Sequence, residues 1–258
     1  MEKLIRECGK NTIFGFTETW LKDTDTDNTW SIDNELFRIF RLDRTHKKGG
    51  GIMMLVPKYL NPKLRTDLIT PKGSFESIWV EITLMDQNSC LINLSYNPNK
   101  NMMNHFLEEF AQAIDNAIVK SSNIVLMGDL NINYFNNKER ENLNSILTPY
   151  DLEALNDDAP THTTKNSESL IDYIISKDSH FIKNFVYESP IKSDHLITLA
   201  ISHFKARKKS HPFIKTIFDK SSYSFKQFQY EVSKIDWNPM FKMQNPDMML
   251  EFFFYRTV

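Results

Sequence analysis

The chain has 258 residues, which is enough for one large domain or for one domain with an extension. Hydrophobic residues make up 41% and charged residues 25%, a globular composition that excludes a mostly disordered chain. The formal net charge of −2 excludes a protein that attracts nucleic acid through a global positive field, so any polyanion would need a local patch.

Cysteine usage and the N-terminal sequence narrow the class further. Cys8 and Cys90 provide neither a disulfide framework nor the ligand spacing of a zinc site. The opening MEKLIRECGK lacks the apolar core of a signal peptide, and no apolar run approaches the length of a membrane span. We therefore expect a soluble intracellular protein that is not secreted and has no membrane partner.

Hydrophobic patterning predicts short strands interrupted by helices. A helix is expected at 2–8, ending near Gly9, and strands follow at 13–16, 36–42, 51–56, 77–84 and 90–95. Apolar residues recur on one helical stripe over 101–120, and a strand at 124–127, a helix at 138–147 and strands at 171–176 and 195–201 complete the series. In 77–84 apolar and polar residues alternate, apart from Trp79, which predicts a strand with one buried face. This order of elements predicts an α/β fold with packed sheets and outer helices.

The composition changes after about residue 203. A basic cluster, KARKK at 205–209, is typical of a linker or an exposed segment. Helical patterning of moderate strength returns at 221–236. We therefore predict a domain at 1–203 and a basic linker with a helical tail at 204–258.

The stretch NIVLMGDLN places two polar side chains at the end of an apolar strand. Asp129 and Asn131 are two positions apart, and side chains two apart on a strand point to the same face. They could therefore reach one small target together, at the strand end where α/β proteins usually build sites. The alternative is an ordinary turn, because Asp and Asn favour turns.

Two more polar residues follow predicted strands. Glu18, in GFTETW, could bind a hard cation, since Mg²⁺ prefers one or two carboxylates together with water and phosphate. Tyr96, in LSYNP, could donate a hydrogen bond to a phosphate oxygen. The alternatives are a solvated glutamate at a strand end and an amphipathic aromatic residue at the rim of a sheet.

The last group combines Asp172, in SLIDYI, with KSDH at 192–195. A carboxylate bonded to the His195 imidazole would fix its tautomer and raise its pKa, so that the ring stays protonated beside a phosphate. Asp194 would point to the opposite side and could bind a metal ion or its water. Thr161, in PTHTT, could cap a turn or touch a phosphate, and Ser193 is a candidate phosphate contact. The remaining histidines have no comparable context and are expected to be surface or structural residues: His46, His105, His162, His180, His203 and His211.

The motifs ETW, SYNP, GDLN, LIDY and SDH occur in this order along about 180 residues. In this order they resemble the endonuclease/exonuclease/phosphatase superfamily. Within it the chain looks closest to the endonuclease domain of non-LTR retrotransposons, the LINE and jockey-like elements. The stretches LFRIFRLDRTHKKGGGIMMLV, FESIWVEI and PTHTTKNSESLIDYII carry this narrower resemblance. It covers roughly residues 1–203, and the tail resembles the segment that joins such endonucleases to a reverse transcriptase.

The resemblance implies a four-layered α/β sandwich of two packed, mainly antiparallel sheets with outer helices. It further implies a DNA endonuclease that uses Mg²⁺ or Mn²⁺, acts in the nucleus and originally worked with a reverse transcriptase. By this resemblance Glu18 would bind the metal ion and Asp194 would support the metal side. Thr161 and Ser193 would bind the substrate. Asp129 would activate the attacking water, Asn131 and Tyr96 would hold the phosphate, and His195 with Asp172 would stabilise the developing charge.

The chain departs from the family pattern at its start. The first strand of the family carries an asparagine beside the metal-binding glutamate, and this chain begins after that strand. Asn11 lies in the turn before the strand of Glu18 and is no substitute. We therefore expect weakened metal binding and reduced stability. The alternatives are a catalytically inactive nucleic-acid-binding remnant, a phosphatase or repair-nuclease relative, and an unstable fragment without a function.

Overall fold

The protein is described from a computed structural model, which covers residues 2–26, 35–44, 49–69, 74–85, 88–155, 159–189, 193–205 and 224–243, with 246, 248 and 249. The chain forms two compact units, 1–209 and 210–258. Most of the basic cluster, at 206–209, lies outside the described residues, and so does the start of the helix predicted at 221–236.

The helices agree with the predicted positions to within a few residues. In the first unit they are α1 (Glu2–Cys8), α2 (Met103–Ile118) and α3 (Asn137–Leu147). The Asn136 side chain caps α3 by accepting hydrogen bonds from the backbone N–H groups of Lys138 and Glu139. The second unit contains α4 (Phe225–Ser233) and α5 (Asn238–Phe241). Within the described ranges, no helix has the length and apolarity that crossing a membrane requires.

The strands of the first unit are short. In chain order they are β1 (Phe14–Phe16), β2 (Phe37–Leu42), β3 (Ile52–Pro57), β4 (Lys63–Leu64), β5 (Glu76–Thr83), β6 (Ser89–Tyr96), β7 (Ile124–Asp129), β8 (Glu153–Ala154), β9 (His162–Thr163), β10 (Glu168–Ser169), β11 (Asp172–Ser176), β12 (Phe181–Tyr187) and β13 (Ile197–Ser202). All the strands predicted from the sequence are present.

The larger sheet has the strand order β4-β5-β6-β7-β11-β8. Its pairs are antiparallel except β6 and β7, which run parallel and are joined by α2. Because β6 and β7 end at the same edge while β5 and β11 begin there, the ends of four neighbouring strands meet at one edge of the sheet.

The second sheet has the order β1-β3-β2, and both of its pairings are antiparallel. The outer edge of β1 pairs with none of the strands that the structure describes. Two antiparallel pairs, β12 with β13 and β9 with β10, stand beside these sheets.

Three apolar layers separate the sheets and the helices. Phe106, Phe110 and Ile114 of α2 pack against one face of the larger sheet. Between the two sheets, alternate residues of β3 and β5 meet: Ile52, Met54, Val56, Ile78, Val80 and Ile82. The other face of β3 packs with Leu4 of α1. The order helix, sheet, sheet, helix confirms the predicted four-layered α/β sandwich.

Two details of the strand predictions were wrong. Ser77 and Trp79, on the face of β5 that was expected to be exposed, are buried, and Trp79 packs in the apolar layer of α2. The alternating pattern of β5 therefore predicted the face that packs between the sheets and missed the burial of the other face, which α2 covers. The strand β12, FIKNFVY, was not predicted, since Lys183 and Asn184 interrupt its apolar pattern and a register shift follows Phe181.

Candidate active site

Four polar residues lie side by side where the central strands of the larger sheet meet. Glu76 of β5 pairs in register with Tyr96 of β6. Tyr96 pairs in turn with Asp129 of β7, and Asp129 pairs with Asp172 of β11. Register partners carry side chains on the same face, so these four form one row across the strand ends. The row brings together three of the residues that the sequence analysis selected, and adds Glu76.

The chain needs a glycine immediately before Asp129. Gly128 has φ of 132°, and a Cβ built on it would lie 1.9 Å from the carbonyl oxygen of Ser95 in β6. Only glycine tolerates both the backbone conformation and this close approach. The GD pair therefore fixes the distance between β6 and β7 at the point where Tyr96 and Asp129 face each other.

A turn, and not strand alternation, brings Asn131 to Asp129. The strand β7 ends at Asp129, and Asn131 adopts a left-handed conformation with φ of 51°. The backbone N–H of Asn131 donates to Oδ1 of Asp129 over 2.9 Å, and its side-chain Nδ2 donates to the carbonyl oxygen of Asn97 over 2.8 Å. The two side chains lie together, as the sequence predicted. They do so because Asp129 and Asn131 form a turn, which the sequence analysis gave as the alternative to a shared strand face.

Asp129 is almost fully buried, with 3% of its surface exposed. Burial raises the pKa of Asp129 to about 7, and the charge of Asp172 acts in the same direction, while the N–H of Asn131 and the charge of His195 oppose it. A carboxyl group with this pKa exchanges a proton near neutral pH.

Asp172 holds the histidine that the sequence paired with it. Nδ1 of His195 lies 2.9 Å from Oδ2 of Asp172. Burial alone would lower the pKa of His195, but the hydrogen bond and charge of Asp172, with the charges of Asp129 and Asp194, raise it to about 9. His195 is therefore an imidazolium at neutral pH, as predicted.

Glu18 is held by three donors at the other side of Tyr96. The Tyr96 hydroxyl donates to Oε1 of Glu18, and the N–H of Gly50 and the indole N–H of Trp20 donate to Oε2. Burial would raise the pKa of Glu18, but these hydrogen bonds and the Arg44 charge outweigh it and lower the pKa. Burial and the Glu18 carboxylate raise the pKa of Tyr96, so this hydroxyl keeps its proton.

Glu76 is the site residue that the sequence analysis missed. Oε1 accepts a hydrogen bond from Nε of Arg44 over 2.6 Å, and Oε2 accepts one from the N–H of Gly51 over 2.8 Å. Glu76 thereby holds the loop whose neighbouring Gly50 N–H binds Glu18. It lies in the stretch FESIWVEI that carried part of the family resemblance, and no local pattern distinguishes it there.

Thr161 and Ser193 make contacts that organise the backbone. Thr161 is fully buried, at 0% exposure, and its hydroxyl accepts hydrogen bonds from the N–H groups of Ile171 and Asp172 over 3.1 and 3.0 Å. Ser193 is exposed, and its hydroxyl accepts from the N–H of His195 over 3.0 Å. These hydrogen bonds reach ten and eleven residues along the chain, so Thr161 does not cap a local turn but ties the start of β11 and holds the backbone of Asp172.

Asp194 and His162 complete the surroundings of His195. Nε2 of His162 lies 3.5 Å from Oδ2 of Asp194, and the rings of His162 and His195 are 4.7 Å apart. The sequence analysis placed Asp194 on the side opposite His195 and gave His162 no role. The structure brings both against His195, because His162 and His195 pair across an isolated antiparallel bridge.

Several of these groups offer ligand atoms for a metal ion. Asp129, Asp172 and His195 form one group and His162, Asp194 and His195 another, the ligand atoms within each lying within 4.8 Å of one another. Glu18 belongs to neither group. Of its three described hydrogen bonds, two go to Oε2 and one goes to Oε1, so Oε1 is the oxygen with more room for a metal ion. Carboxylate oxygens of this kind are the ligands that Mg²⁺ and Mn²⁺ prefer. The residues of this edge therefore fit a divalent cation.

Comparisons with known proteins agree with this description. Residues 90–199 match a family model described as endonuclease-reverse transcriptase. The match includes Tyr96, Asp129, Asn131, Asp172 and His195, and it begins beyond Glu18. A comparison with curated protein sequences found no match.

Solved structures show the same fold. The endonuclease domain of TRAS1, a telomere-specific non-LTR retrotransposon, superposes with a TM-score of 0.59 at 15% identity, over 80% of this chain and 90% of that one. The catalytic domain of Xenopus laevis APE2 gives a TM-score of 0.60 at 13% identity, over 81% and 88%. The 3′ phosphatase NExo from Neisseria, solved with a product DNA hairpin, gives 0.59 at 10% identity, over 78% and 92%.

These matches define the fold of the protein. The chain has the fold of the endonuclease/exonuclease/phosphatase superfamily, as the sequence motifs indicated. Within that fold, residues 90–199 carry the sequence signature of the endonuclease-reverse transcriptase family, which confirms the resemblance to retrotransposon endonucleases.

Proposed function

We propose that the protein is a divalent-cation-dependent endonuclease that hydrolyses phosphodiester bonds of DNA, as in the nicking of a retrotransposon target site. One observation carries the proposal: Asp129, whose pKa is raised to about 7, lies in register beside Asp172, which holds the His195 imidazolium. A group that accepts a proton and a group that stabilises negative charge thus stand together at one strand end. The fold and the TRAS1 match support DNA as the substrate.

Asp129 is the residue best placed to accept a proton. Its Oδ1 accepts a hydrogen bond from the backbone N–H of Asn131 over 2.9 Å, whereas Oδ2 makes only a long contact of 3.5 Å with Nδ2 of Asn131. Oδ2 is therefore the oxygen that can take a proton from a water molecule. As that water attacks phosphorus, its oxygen forms the new P–O bond, its proton passes to Asp129, and the P–O bond to the leaving oxygen breaks. General-base catalysis of this kind contributes a factor of about 10² to 10⁴ in rate.

His195 serves the phosphate, not the water. Its Nδ1 is occupied by Asp172, so Nε2 carries the proton that can be donated to a non-bridging oxygen. Because the pKa of His195 is raised to about 9, this proton is retained at neutral pH. The charged hydrogen bond stabilises the negative charge that develops on the phosphate during attack.

Glu18 would hold the cation, while Asp194, for which the sequence also suggested a metal role, lies with His162 and His195 at the Asp172 end of the site. A bound divalent cation supplies positive charge that polarises the phosphate. The Tyr96 hydroxyl has a single hydrogen, which either orients Glu18, as in this structure, or donates to the phosphate. The Asn131 side-chain amide, which lies beside Asp129 and donates to the Asn97 carbonyl oxygen in this structure, would hold a phosphate oxygen. Thr161 and Ser193 act through the backbone of Asp172 and His195 and complete the substrate side.

The wider assignment follows from the same family match. We propose that residues 1–203 are the nuclease domain and that 204–258 resemble the segment that joins such a domain to a reverse transcriptase; the family description, endonuclease-reverse transcriptase, supports this proposal. DNA as substrate would place the protein in the nucleus. In this account the ion is Mg²⁺ or Mn²⁺.

A test starts with a covalently closed supercoiled plasmid, which has no ends and reports only internal cuts. The purified full chain should convert it to the open circular form with Mg²⁺ or Mn²⁺ and should fail to do so with EDTA. A labelled oligonucleotide with a 3′ phosphate, assayed in parallel, detects phosphomonoester hydrolysis. Nicking without loss of the 3′ phosphate supports the proposal, and EDTA-resistant nicking contradicts it.

The second candidate is a phosphatase or repair nuclease of the same fold, because the 3′ phosphatase NExo and APE2 superpose as well as TRAS1 does. Release of the 3′ phosphate with an intact plasmid would establish that alternative. Binding of DNA without either reaction would indicate an inactive remnant.

A further inference from the structure

His162 and His195 lie side by side for a reason built into the backbone. The two residues face each other across an isolated antiparallel bridge. On one side of the bridge the N–H of Leu196 donates to the carbonyl oxygen of Thr161 over 2.6 Å, and on the other the N–H of Thr163 donates to that of Asp194 over 3.2 Å. Directly opposed residues of an antiparallel pair carry their side chains on the same face. The two imidazoles are therefore held together by main-chain pairing.

Asp194 adds a carboxylate to the two rings. Its Oδ2 lies 3.5 Å from Nε2 of His162, and one ligand atom from each of His162, Asp194 and His195 lies within 4.8 Å of the others. The side chain of Asp194 is 69% exposed, whereas that of His162 is 20% exposed, so the group opens to solvent on its carboxylate side. An ion could enter from solvent without movement of the sheet.

Each imidazole is also oriented through its second nitrogen. Nδ1 of His162 lies 3.2 Å from the Ser169 hydroxyl, and Nδ1 of His195 lies 2.9 Å from Oδ2 of Asp172. Histidines that bind metal ions characteristically have their other ring nitrogen held by a hydroxyl, a carbonyl or a carboxylate. Both rings are thus arranged to present Nε2 to a ligand.

We propose that His162, Asp194 and His195 form a binding site for a transition-metal ion of the Zn²⁺ class. Two imidazoles and one carboxylate suit Zn²⁺ or Co²⁺, whereas Mg²⁺ prefers oxygen ligands such as Glu18. His195 belongs both to this site and to the proposed catalytic site, where it is held by Asp172. Resting on the proposed function, the consequence is inhibition: while His195 binds the ion, it has no proton to donate to a phosphate.

The binding claim is tested by titrating the full chain, free of any histidine tag, with Co²⁺ in saturating Mg²⁺ and recording the visible absorption of the bound ion. We expect one site, weakened about tenfold or more by His162→Gln and by the more exposed Asp194→Asn. His105→Gln is the matched control, because Nε2 of His105 also lies 3.5 Å from a carboxylate, that of Glu109, without a second imidazole. Equal Co²⁺ affinity in wild type and both site variants would overturn the proposal.

The inhibition claim is tested with the nicking assay at buffered Zn²⁺ concentrations, each variant being normalised to its own zinc-free rate. Zn²⁺ should inhibit the wild type and His105→Gln at the concentrations that saturate the site, and chelation should restore the rate. His162→Gln should require about tenfold more Zn²⁺. Nicking that persists while the site is filled would overturn the inhibitory role.

The two tests separate this site from the proposed function. If the protein nicks no DNA, Co²⁺ binding that depends on His162 still establishes the site. If Mg²⁺-dependent nicking is observed but Co²⁺ binding does not depend on His162, the site is absent and the proposed nuclease remains.

Discussion

Tyr96 and Asp129 are register partners in the parallel pair β6 and β7, and each lies at the last residue of its strand. Gly128 sets the approach of these strands, because a side chain there would overlap the Ser95 carbonyl. The GDLN motif therefore does two things at once: it allows the two strands to close together, and it ends β7 in the turn that fixes the Asp129 carboxylate.

The role of Gly128 predicts a large stability cost for Gly128→Ala. The added Cβ would meet the Ser95 oxygen at 1.9 Å and would also be strained at φ of 132°. Steric overlap and backbone strain together should lower the free energy of unfolding by on the order of 3 kcal/mol or more. Chemical denaturation measures this change.

Gly9→Ala is the control for that experiment. Gly9 also has a positive φ, of 87°, but a Cβ there meets no atom within 4 Å. Only the conformational cost, about 1 kcal/mol, should appear. Equal losses for the two variants would show that the approach of β6 and β7 is not restricted at Gly128.

The Asp172–His195 pair predicts a defined pH dependence of stability. Because the folded-state pKa of His195, about 9, lies above the usual 6.5, its stabilisation is complete below pH 6.5 and is lost as the pH rises to about 9. The loss should be on the order of 2–3 kcal/mol. The raised pKa of Asp129 acts in the same direction but in a lower window, between 3.8 and about 7.

Denaturation of the wild type and of His195→Gln between pH 6.5 and 9.5 checks this assignment. The stability of the wild type should fall through that range, and the variant should show a shallower fall, because only Asp129, whose pKa rises further without the His195 charge, still titrates. Parallel profiles would mean that another group is responsible, and that the His195 imidazolium is not stabilised by Asp172.

Thr161→Val should disturb the same pair from a distance. The variant keeps the shape of the side chain but removes the oxygen that accepts from the N–H groups of Ile171 and Asp172. Loss of these two hydrogen bonds should lower the free energy of unfolding by about 1–3 kcal/mol. The NMR titration of the His195 imidazole should also move to lower pH as Asp172 loses its fixed position.

Thr161→Ser serves as the conservative variant, because serine keeps the accepting oxygen. It should retain most of the stability and the wild-type titration of His195. If Thr161→Val leaves both quantities unchanged, the hydroxyl does not position Asp172.

Glu76→Gln should weaken the affinity for the divalent cation more than it slows the reaction at saturating metal. The change removes the charge that pairs with Arg44 and loosens the loop whose Gly50 N–H binds Glu18. We expect the Mg²⁺ concentration for half-maximal nicking to rise about tenfold, with a smaller change in the maximal rate.

Glu81→Gln provides the matched comparison for Glu76→Gln. Glu81 lies on the same strand, is paired with Arg65 over 2.8 Å, and makes none of its described contacts with the row of site residues. It should leave the Mg²⁺ dependence unchanged. An equal shift in both variants would mean that Glu76 acts only through the stability of β5.

The sequence was most informative where a pattern is local. The helical stripe of α2 and the apolar runs of β5, β6 and β7 follow from periodicity, and the observed bounds differ from the predicted ones by about two residues. The two-residue strands β4, β8, β9 and β10 are too short to show a period, so they were missed.

Part of the candidate site depends on register, which no local pattern encodes. The pairing of Asp172 with His195 was predicted from the chemistry of the two residues and is present at 2.9 Å. Glu76 and His162 were passed over, because the first becomes part of the site only through alignment with Tyr96, and the second only through the bridge to His195. The positions of Glu76 and His162 in the site can be recognised only once the strand pairing is known.

Plasmid nicking by Asp129→Asn and by Asp151→Asn shows whether the Asp129 carboxylate accepts the proton of the attacking water. Asp151 is the control, because its side chain is 87% exposed and its φ of 58° suits asparagine equally well. We expect folded Asp129→Asn to nick DNA with Mg²⁺ about 10² to 10⁴ times more slowly than the wild type, and Asp151→Asn to nick at the wild-type rate. Nicking by Asp129→Asn at the wild-type rate would show that the Asp129 carboxylate is not the general base.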